Sequence, residues 1–274
     1  MKSPYLITEP TMISFSGGRT SGYMLWKVLE AHGGKLPEDA IVLFANTGKE
    51  DEATLKFVND CSVNWNVPIT WIEYRNTEQV FEVVTYETAS RNGEPFEQLI
   101  RKYSALPNPV QRFCTGNLKI RAMHKYLKSI GWEHNETNNP DFVGIRADEE
   151  RRARKMDRHK MPLYLDGVTK HDVVKFWENN TFDLELPSVN GETVGGNCDL
   201  CFLKSLPKIL TLIKQNPSRA TWWAKMEEIV PAIDKIGMGN TFRRDRPSYA
   251  KIHEYLDKQF EMFEEDSIEC FCGD

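Results

Sequence analysis

Residues 11–29, which read TMISFSGGRTSGYMLWKVL, contain the pattern that decides the fold class of this chain. An apolar run ends at Phe15, the turn Ser16-Gly17-Gly18 follows, and apolar side chains then recur at helical spacing from Met24 to Leu29. This pattern predicts a β-strand, a tight glycine turn and an α-helix. A strand that leads directly into a helix is the building unit of α/β folds.

The turn has the composition of an anion-binding site. Glycines let the backbone approach a ligand closely, and the N-terminus of a helix offers N–H donors and the positive end of its dipole. Ser16, Thr20 and Ser21 add hydroxyl donors, while Arg19 either clamps the anion or faces water. An ordinary strand-to-helix turn is the alternative interpretation. We predict that Ser16-Gly17-Gly18-Arg19-Thr20-Ser21 binds a phosphate, pyrophosphate or sulfate group.

Three further buried strands are predicted at 40–48, 69–74 and 141–145, because each segment contains a short apolar run. Helical patterns over 51–66 and from Ile120 to Ile130 lie between them. Strands that alternate with helices in this way predict a parallel sheet.

The rest of the chain divides into two parts. Residues 75–113 contain three prolines and predict a helix plus an irregular loop. Prolines also separate three helical stretches after residue 203. We therefore predict an α/β nucleotide-binding domain over 1–200 and a helical C-terminal region with a cysteine-containing tail over 201–274.

The predicted strands end in polar segments that share one edge of the sheet. Asn46-Thr47-Gly48 follows the second strand, and Arg146 follows the strand at 141–145. The carboxyl ends of parallel strands are where α/β sheets bind ligands. We expect both segments to lie beside the turn at 16–21.

Composition limits the broad class of protein. No run approaches the ~18 apolar residues of a membrane span, and the N-terminal residues lack the apolar core of a signal peptide. We therefore expect a cytoplasmic protein with no membrane partner. The net charge of −5 gives no global attraction to nucleic acid. Residues 144–160, however, carry seven Lys or Arg against four Asp or Glu.

The spacing of the cysteines favours metal or redox chemistry over disulfides in a cytosolic chain. Cys198 and Cys201 form a CxxC pair, the spacing of zinc and iron–sulfur ligands. Cys114 and a tail cysteine, Cys270 or Cys272, could complete the site; unligated thiols are the alternative. Cys61 lies on the apolar stripe of a helix and is predicted to be a core residue.

Four segments, in order, resemble the phosphoadenosine-phosphosulfate (PAPS) reductase family of the PP-loop, or adenine-nucleotide α-hydrolase-like, superfamily. They lie at 16–21, 44–55, 112–119 and 144–149. These segments are similar to the SGGxxS, DTG…ET, R-x-C-[CT]…K and GIR-x-D-E elements of that family.

The resemblance implies a Rossmann-like sheet that binds an adenine nucleotide, which is PAPS, APS or ATP. The implied nucleotide-binding residues are Ser16, Gly17, Gly18, Arg19, Thr20, Ser21, Asn46, Thr47, Gly48, Lys119 and Arg146. It also implies a [4Fe–4S] cluster, with zinc as the alternative metal. The ligands that the resemblance implies are Cys114, Cys198 and Cys201, while Phe113 stands where cluster-bearing members have a further cysteine. The fourth ligand is predicted from the tail as Cys272, with Cys270 as the alternative.

The tail Glu269-Cys270-Phe271-Cys272-Gly273 resembles the family's C-terminal Glu-Cys-Gly segment. The resemblance implies that Cys270 or Cys272 attacks the sulfur of an adenylyl sulfate and forms an enzyme S-sulfonate. Thioredoxin or glutaredoxin would then release sulfite. Whether these cysteines are nucleophiles or metal ligands stays open at this point.

Three further residues depart from the family pattern. Arg19-Thr20 stands where many ATP-splitting members have Lys-Asp, and Asn46 stands where Asp is usual. The loop therefore predicts nucleotide binding more strongly than ATP cleavage.

Two other functions and the state of assembly remain open. The first is an ATP-dependent iron–sulfur sulfurtransferase or nucleotide-modifying enzyme that contacts nucleic acid through the basic stretch 146–158 and Phe242-Arg243-Arg244. The second is a non-catalytic nucleotide sensor. A homo-oligomer is compatible with either function.

Overall fold

The computed structural model describes residues 3–132, 141–189, 192–231 and 239–256. These residues form two compact units. The first unit comprises 1–99 and 113–199, and the second comprises 100–112 and the described residues from 200 onward. Segment 100–112 groups with the C-terminal residues although it lies within the predicted N-terminal domain.

A five-stranded sheet organises the first unit. Its strands are β1 (Thr11–Phe15), β2 (Ala40–Asn46), β3 (Ile69–Tyr74), β4 (Phe81–Val84) and β5 (Phe142–Val143). The order across the sheet is β4-β3-β2-β1-β5. The pairs β1–β2, β2–β3 and β1–β5 are parallel, and only the edge pair β3–β4 is antiparallel. The predicted α/β fold with a Rossmann-like, mostly parallel sheet is confirmed.

Helices follow the strands as expected. The helices described up to residue 178 are, in chain order, α1 (Arg19–Ala31), α2 (Glu52–Asn64), α3 (Glu94–Tyr103), a π-helix (Thr115–Arg121), α4 (Ala122–Ser129), α5 (Glu150–Ala153), a 3-10 helix (Arg158–Lys160), α6 (Pro162–Leu165) and α7 (Lys170–Glu178). A two-stranded hairpin, β6 (Ser188–Val189) and β7 (Glu192–Thr193), follows α7.

The helices cover both faces of the sheet. The side chains of Met24 and Leu25 on α1 and of Leu55 on α2 belong to the same buried cluster as Phe15 and Phe44. A second cluster packs α4 against the sheet. It contains Met12, Leu43, Ala45, Ile72, Phe81, Ala122, Met123 and Leu127. Both faces of β2 are therefore buried, which explains its continuous apolar run.

Two local features were not predicted. The edge strand β4 has only four residues, and its two central residues, Glu82 and Val83, are exposed, so it shows no apolar run. The helix predicted from Ile120 instead has helical backbone from residue 113 onward, with Thr115–Arg121 as a π-helix. Cys114 therefore lies within helical backbone and not before the helix. A π-helix widens the turn and is often found at functional sites.

The second unit is helical in the described residues. α8 (Leu206–Gln215) and α9 (Arg219–Ile229) are followed by helical backbone over 249–256. The predicted helical C-terminal part is confirmed. None of the helices in the described part of the chain is long and apolar enough to span a membrane.

A buried carboxyl group joins the elements of this second unit. Glu227 on α9 is only 5% exposed and accepts hydrogen bonds from the backbone N–H groups of Phe242, at 3.2 Å, and Tyr249, at 2.7 Å. Burial raises the pKa of Glu227 to about 7, although the two N–H donors and the charge of Arg246 lower it. The folded state therefore binds this proton more tightly than the unfolded state does.

The stability of the second unit is expected to depend on pH through Glu227. Because the pKa is raised in the folded state, the stabilisation is complete below pH 4.5 and is lost as the pH rises through about 7. At about 1.4 kcal/mol per pKa unit, the loss is at most about 3 kcal/mol. Glu227→Gln should remove this part of the pH dependence. Urea unfolding at pH 5 and pH 8 measures it, and an equal pH dependence in both proteins would contradict the assignment.

Candidate functional site

The turn between β1 and α1 is closed by one buried serine. Ser21 is 2% exposed, and its Oγ accepts hydrogen bonds from the N–H groups of Ser16, at 3.1 Å, and Gly18, at 3.3 Å. The same hydroxyl donates to the carbonyl of Gly18 at 2.9 Å. These two amides therefore point inward. The first amides of an α-helix, which here starts at Arg19, have no carbonyl partner earlier in the helix, and amides in this position can bind an anion.

The two glycines of the turn differ in their surroundings. Gly17 has a φ of +75°, and a Cβ atom there would lie 2.6 Å from Cγ2 of Thr54 on α2. Gly18 has extended backbone, with a φ of −112°, and a Cβ there would meet nothing closer than 3.8 Å. Gly17 is thus required for packing against α2, while Gly18 lies on the open side where a ligand can approach.

Arg19 is held by an acidic side chain from a distant segment. Its Nε and Nη2 each donate to the carboxylate of Asp183 at 2.7 Å, and Nη2 also donates to the carbonyl of Leu184 at 3.0 Å. The indole N–H of Trp177 donates to the carbonyl of Arg19 at 2.9 Å. The guanidinium therefore anchors α1 in the arrangement that the structure describes.

Arg146 lies against the first turn of α1. Its Nη1 donates to Oγ1 of Thr20 at 3.1 Å, and its Nε donates to Asp148 at 2.8 Å. β5 is paired in parallel with β1, which carries the segment after β5 to this position. At Gly144, a Cβ would lie 3.2 Å from Cα of Ser21, so the two backbones approach closely here. The expected proximity of Arg146 to the turn is observed.

Asn46 lies at the end of β2 and is fully buried. Its Nδ2 donates to Oε1 of Glu73 at 2.6 Å and to the carbonyl of Ser90 at 2.8 Å, while its Oδ1 accepts from the N–H of Gly48 at 3.1 Å. Both amide donors of Asn46 are thus used within the chain. Asn46 therefore links the end of β2 to Glu73 on β3 and to the backbone at Ser90.

Thr47 connects the end of β2 to a cysteine from far along the chain. Its N–H and Oγ1 both donate to Oε2 of Glu50, each at 2.8 Å. Oγ1 is also 3.4 Å from Sγ of Cys198. The backbones of Glu50 and Cys198 form an antiparallel bridge, which holds the cysteine at this edge.

Two lysines pair with carboxylates at this edge of the sheet. Nζ of Lys49 is 3.1 Å from Oδ2 of Asp199, and both side chains are about nine-tenths buried. Nζ of Lys119, on the π-helix, is 3.8 Å from Oε1 of Glu50. The predicted site residue Lys119 therefore reaches the carboxyl edge of β2.

No disulfide bond joins the described cysteines, which are Cys61, Cys114, Cys198 and Cys201. Cys61 is fully buried, as predicted for a core residue, and burial raises its thiol pKa. Among the residues that the structure describes, no three His, Cys, Asp or Glu side chains form a group that could hold a metal ion. The predicted nucleophiles and fourth ligand, Cys270 and Cys272, lie outside the described residues.

Sequence reasoning missed three acidic residues that shape the site. Glu73 accepts a hydrogen bond from Asn46, Asp183 accepts one from Arg19, and Glu50 accepts one from Thr47. Glu73 stands inside the apolar run of β3, where a carboxylate requires a partner. A carboxylate within an apolar run is a sequence signal for a buried partner. Asp183 and Glu50 give no such signal, because they lie in polar segments.

The fold and site together define an α/β protein with a glycine turn, a helix N-terminus and an arginine at the carboxyl edge of its sheet. No family model matches the chain. The nin region protein ORF290 of Escherichia phage lambda, an uncharacterized protein, is 31% identical over 206 residues, which are 72% of this chain and 67% of that protein. The chain belongs to the same family as ORF290.

A second relative is an uncharacterized protein of Methanocaldococcus jannaschii. It is 30% identical over 155 residues, which are 56% of this chain and 26% of the archaeal protein. The match therefore spans only about a quarter of that longer relative.

Proposed function

We propose that this protein binds an adenine nucleotide at the turn 16–21 and uses a cysteine for sulfur chemistry of the PAPS reductase type. The observation that carries the proposal is the hydrogen bond of 3.1 Å from Nη1 of Arg146 to Oγ1 of Thr20. It brings a guanidinium to the N-terminus of a 13-residue helix. An anion bound between the guanidinium and that positive helix end would be attracted by both, in addition to the carboxylates of Asp148 and Glu149 that already pair with Arg146.

The surroundings of Arg146 fit a phosphate or sulfate. Its side chain is 19% exposed and is accompanied by Asp148 and Glu149. These carboxylates hold the guanidinium in place. Nη2 of Arg146 makes no hydrogen bond to any described residue, so it remains a donor for an anion oxygen. Thr20 and the first amides of α1 add further donors on the same side.

The proposed chemical step follows from the resemblance of the tail. The thiolate of Cys270 or Cys272 attacks the sulfur of an adenylyl sulfate, the bond from that sulfur to the phosphate oxygen breaks, and the adenosine phosphate leaves. A dithiol protein such as thioredoxin then attacks the cysteine sulfur of the S-sulfonate. Sulfite leaves, and the two thiols of the reductant end as a disulfide.

The metal centre remains a prediction. The described donors do not by themselves form a metal site, and Sγ of Cys198 already contacts Thr47. No step of the proposed reaction therefore depends on a cluster. Iron and sulfide analysis of protein prepared without oxygen tests the [4Fe–4S] prediction, and zinc analysis tests its alternative.

Nucleotide binding is tested by calorimetry with ATP, APS and PAPS on the full chain. Arg146→Ala should weaken binding of the preferred nucleotide about 10- to 100-fold, because a charge-assisted hydrogen bond contributes about 1.5–3 kcal/mol. Arg152→Ala is the matched control, since Arg152 is 59% exposed and is already paired with Glu149. Equal affinity in the wild type and the Arg146 variant would contradict the proposed phosphate contact.

The sulfur chemistry is tested by incubation with APS or PAPS and reduced thioredoxin. Sulfite should form from one of the two nucleotides, and Cys270→Ser or Cys272→Ser should abolish it while nucleotide binding persists. No sulfite from either nucleotide, with binding intact, would rule out the reductase.

One observation favours a second candidate, a PP-loop enzyme that acts on nucleic acid. Arg151, Lys155 and Arg158 are exposed on the basic stretch, whereas Arg152 and Arg154 are paired with Glu149 and Glu150. Three exposed cations on one short segment suit a phosphate backbone. Binding of RNA or DNA that weakens steeply with salt would favour this candidate, and its absence would favour the reductase.

A further inference from the structure

Glu50 has one carboxylate oxygen that is buried without a hydrogen bond. Oε2 accepts two hydrogen bonds from Thr47, but Oε1 accepts none from the residues that the structure describes. The side chain is only 2% exposed, and Nζ of Lys119 lies 3.8 Å from Oε1, beyond hydrogen-bond length. Because a buried oxygen without a donor is costly, such an atom is a candidate contact for a bound molecule.

Glu50 follows β2 at the edge of the sheet where the predicted phosphate turn follows β1. Thr54 is the residue that a Cβ on Gly17 would meet, at 2.6 Å. Glu50 lies two residues before α2, the helix that carries Thr54. β1 and β2 are paired with Phe15 beside Phe44, so the turn after β1 and the segment after β2 leave the sheet side by side.

The two sides of this edge select different chemical groups. The N-terminus of α1 and Arg146 attract an anion. The carboxylate of Glu50 repels an anion and accepts only an N–H or O–H donor. A molecule that occupies both sides must therefore carry an anion at one end and a hydrogen-bond donor a few bonds away.

We infer that Oε1 of Glu50 accepts a hydrogen bond from an N–H or O–H group of the bound nucleotide. The inference rests on the proposed nucleotide site. A nucleotide offers two sources of this donor, the amino group of its base and the hydroxyls of its ribose.

The test compares ATP with three analogues in calorimetric titrations of the full chain. Inosine triphosphate replaces the base amino group by an oxygen, while 2′-deoxy- and 3′-deoxy-ATP each lack one hydroxyl. Glu50→Gln should weaken ATP binding about 10- to 100-fold. The amide carbonyl would stay with the two Thr47 donors, so the amide nitrogen, which is not an acceptor, would replace Oε1. With the wild type, the analogue that lacks the donor should bind more weakly than ATP by a similar factor. With Glu50→Gln, ATP and that analogue should bind with nearly equal affinity.

Glu52→Gln is the matched control, because Glu52 lies two residues away and pairs with Arg91 at 2.7 Å. It makes the same charge change and should alter ATP affinity less than about twofold. Glu50→Asp keeps the charge and retracts the carboxylate by one methylene, so it should weaken ATP binding even if Glu50→Gln does not fold.

Two results would overturn the inference, and they are distinguishable. If ATP binds but all three analogues bind equally and the Glu50 variants match the wild type, the nucleotide site stands and Glu50 has no part in it. If no nucleotide binds to the wild type, the proposed function fails and the inference fails with it.

Discussion

Asn46→Asp is expected to lower the free energy of unfolding by about 3–5 kcal/mol at neutral pH, the usual loss when a buried polar pair is broken. Asn46 is fully buried and donates to Glu73 Oε1 at 2.6 Å and to the Ser90 carbonyl at 2.8 Å. An ionised aspartate at position 46 would bring its own carboxylate against the Glu73 carboxylate and the Ser90 carbonyl. All three groups are acceptors, and no proton would lie between them. An aspartate, which is usual at this position in the PAPS reductase family that the sequence resembles, is therefore incompatible with the partners that this chain provides.

The loss in Asn46→Asp should diminish as the pH falls. Two buried carboxylates at hydrogen-bond distance raise the pKa of the pair, because one retained proton can bridge them. The folded variant then binds a proton that the unfolded chain releases, so its stability rises towards acid pH. Urea unfolding at pH 5 and pH 8 measures the effect.

A double variant separates this electrostatic cause from a simple packing defect. Glu73→Gln in the Asn46→Asp background restores a donor between the two side chains and should recover part of the lost stability. The recovery is incomplete because the contact to Ser90 is not restored and Arg75, 2.7 Å from Glu73, loses one of its two carboxylate partners and keeps only Glu82. A double variant less stable than Asn46→Asp alone would contradict the explanation.

Gly17→Ala is expected to cost about 2–6 kcal/mol of unfolding free energy. A non-glycine residue at a φ of +75° is strained by about 1–3 kcal/mol. The new Cβ would also lie 2.6 Å from Thr54 Cγ2, and overpacking adds about 1–3 kcal/mol. If the turn binds a nucleotide as proposed, the displaced turn should also lose that affinity.

Gly18→Ala is the internal control for this prediction. It lies in the same turn but has extended backbone and an open side, so its stability should change by less than about 1 kcal/mol. Urea unfolding followed by circular dichroism compares the two variants. Equal stability of both would show that the close packing of Gly17 against α2 is not needed.

Most of the fold could be predicted because its signals are local. The apolar runs at β1, β2 and β3 and the helical stripe of α1 are strong over short windows, and the structure has them within a few residues of the predicted bounds. The edge strand β4 and the π-helix around Lys119 were missed. A four-residue strand with two exposed residues at its centre has no apolar run, and no residue pattern identifies a widened helical turn.

The candidate site could be predicted only in outline. The turn 16–18 and Arg146 were expected at one edge, and the Arg146–Thr20 contact shows that they meet. Arg19 was expected to clamp an anion or face water, yet it pairs with Asp183. That pairing joins residues 164 positions apart, and a sequence pattern carries no information on such a contact.

By itself the sequence determined the strand–turn–helix order, the parallel sheet and the edge at which polar residues gather, because hydrophobic periodicity and turn chemistry act over a few residues. Only the tertiary structure decided which polar groups meet there. Glu73 reaches Asn46 across 27 residues, and Cys198 reaches Thr47 across 151. The burial of the edge makes these partners necessary, since a buried polar group without a hydrogen bond is costly, and chain topology determines which side chain satisfies it.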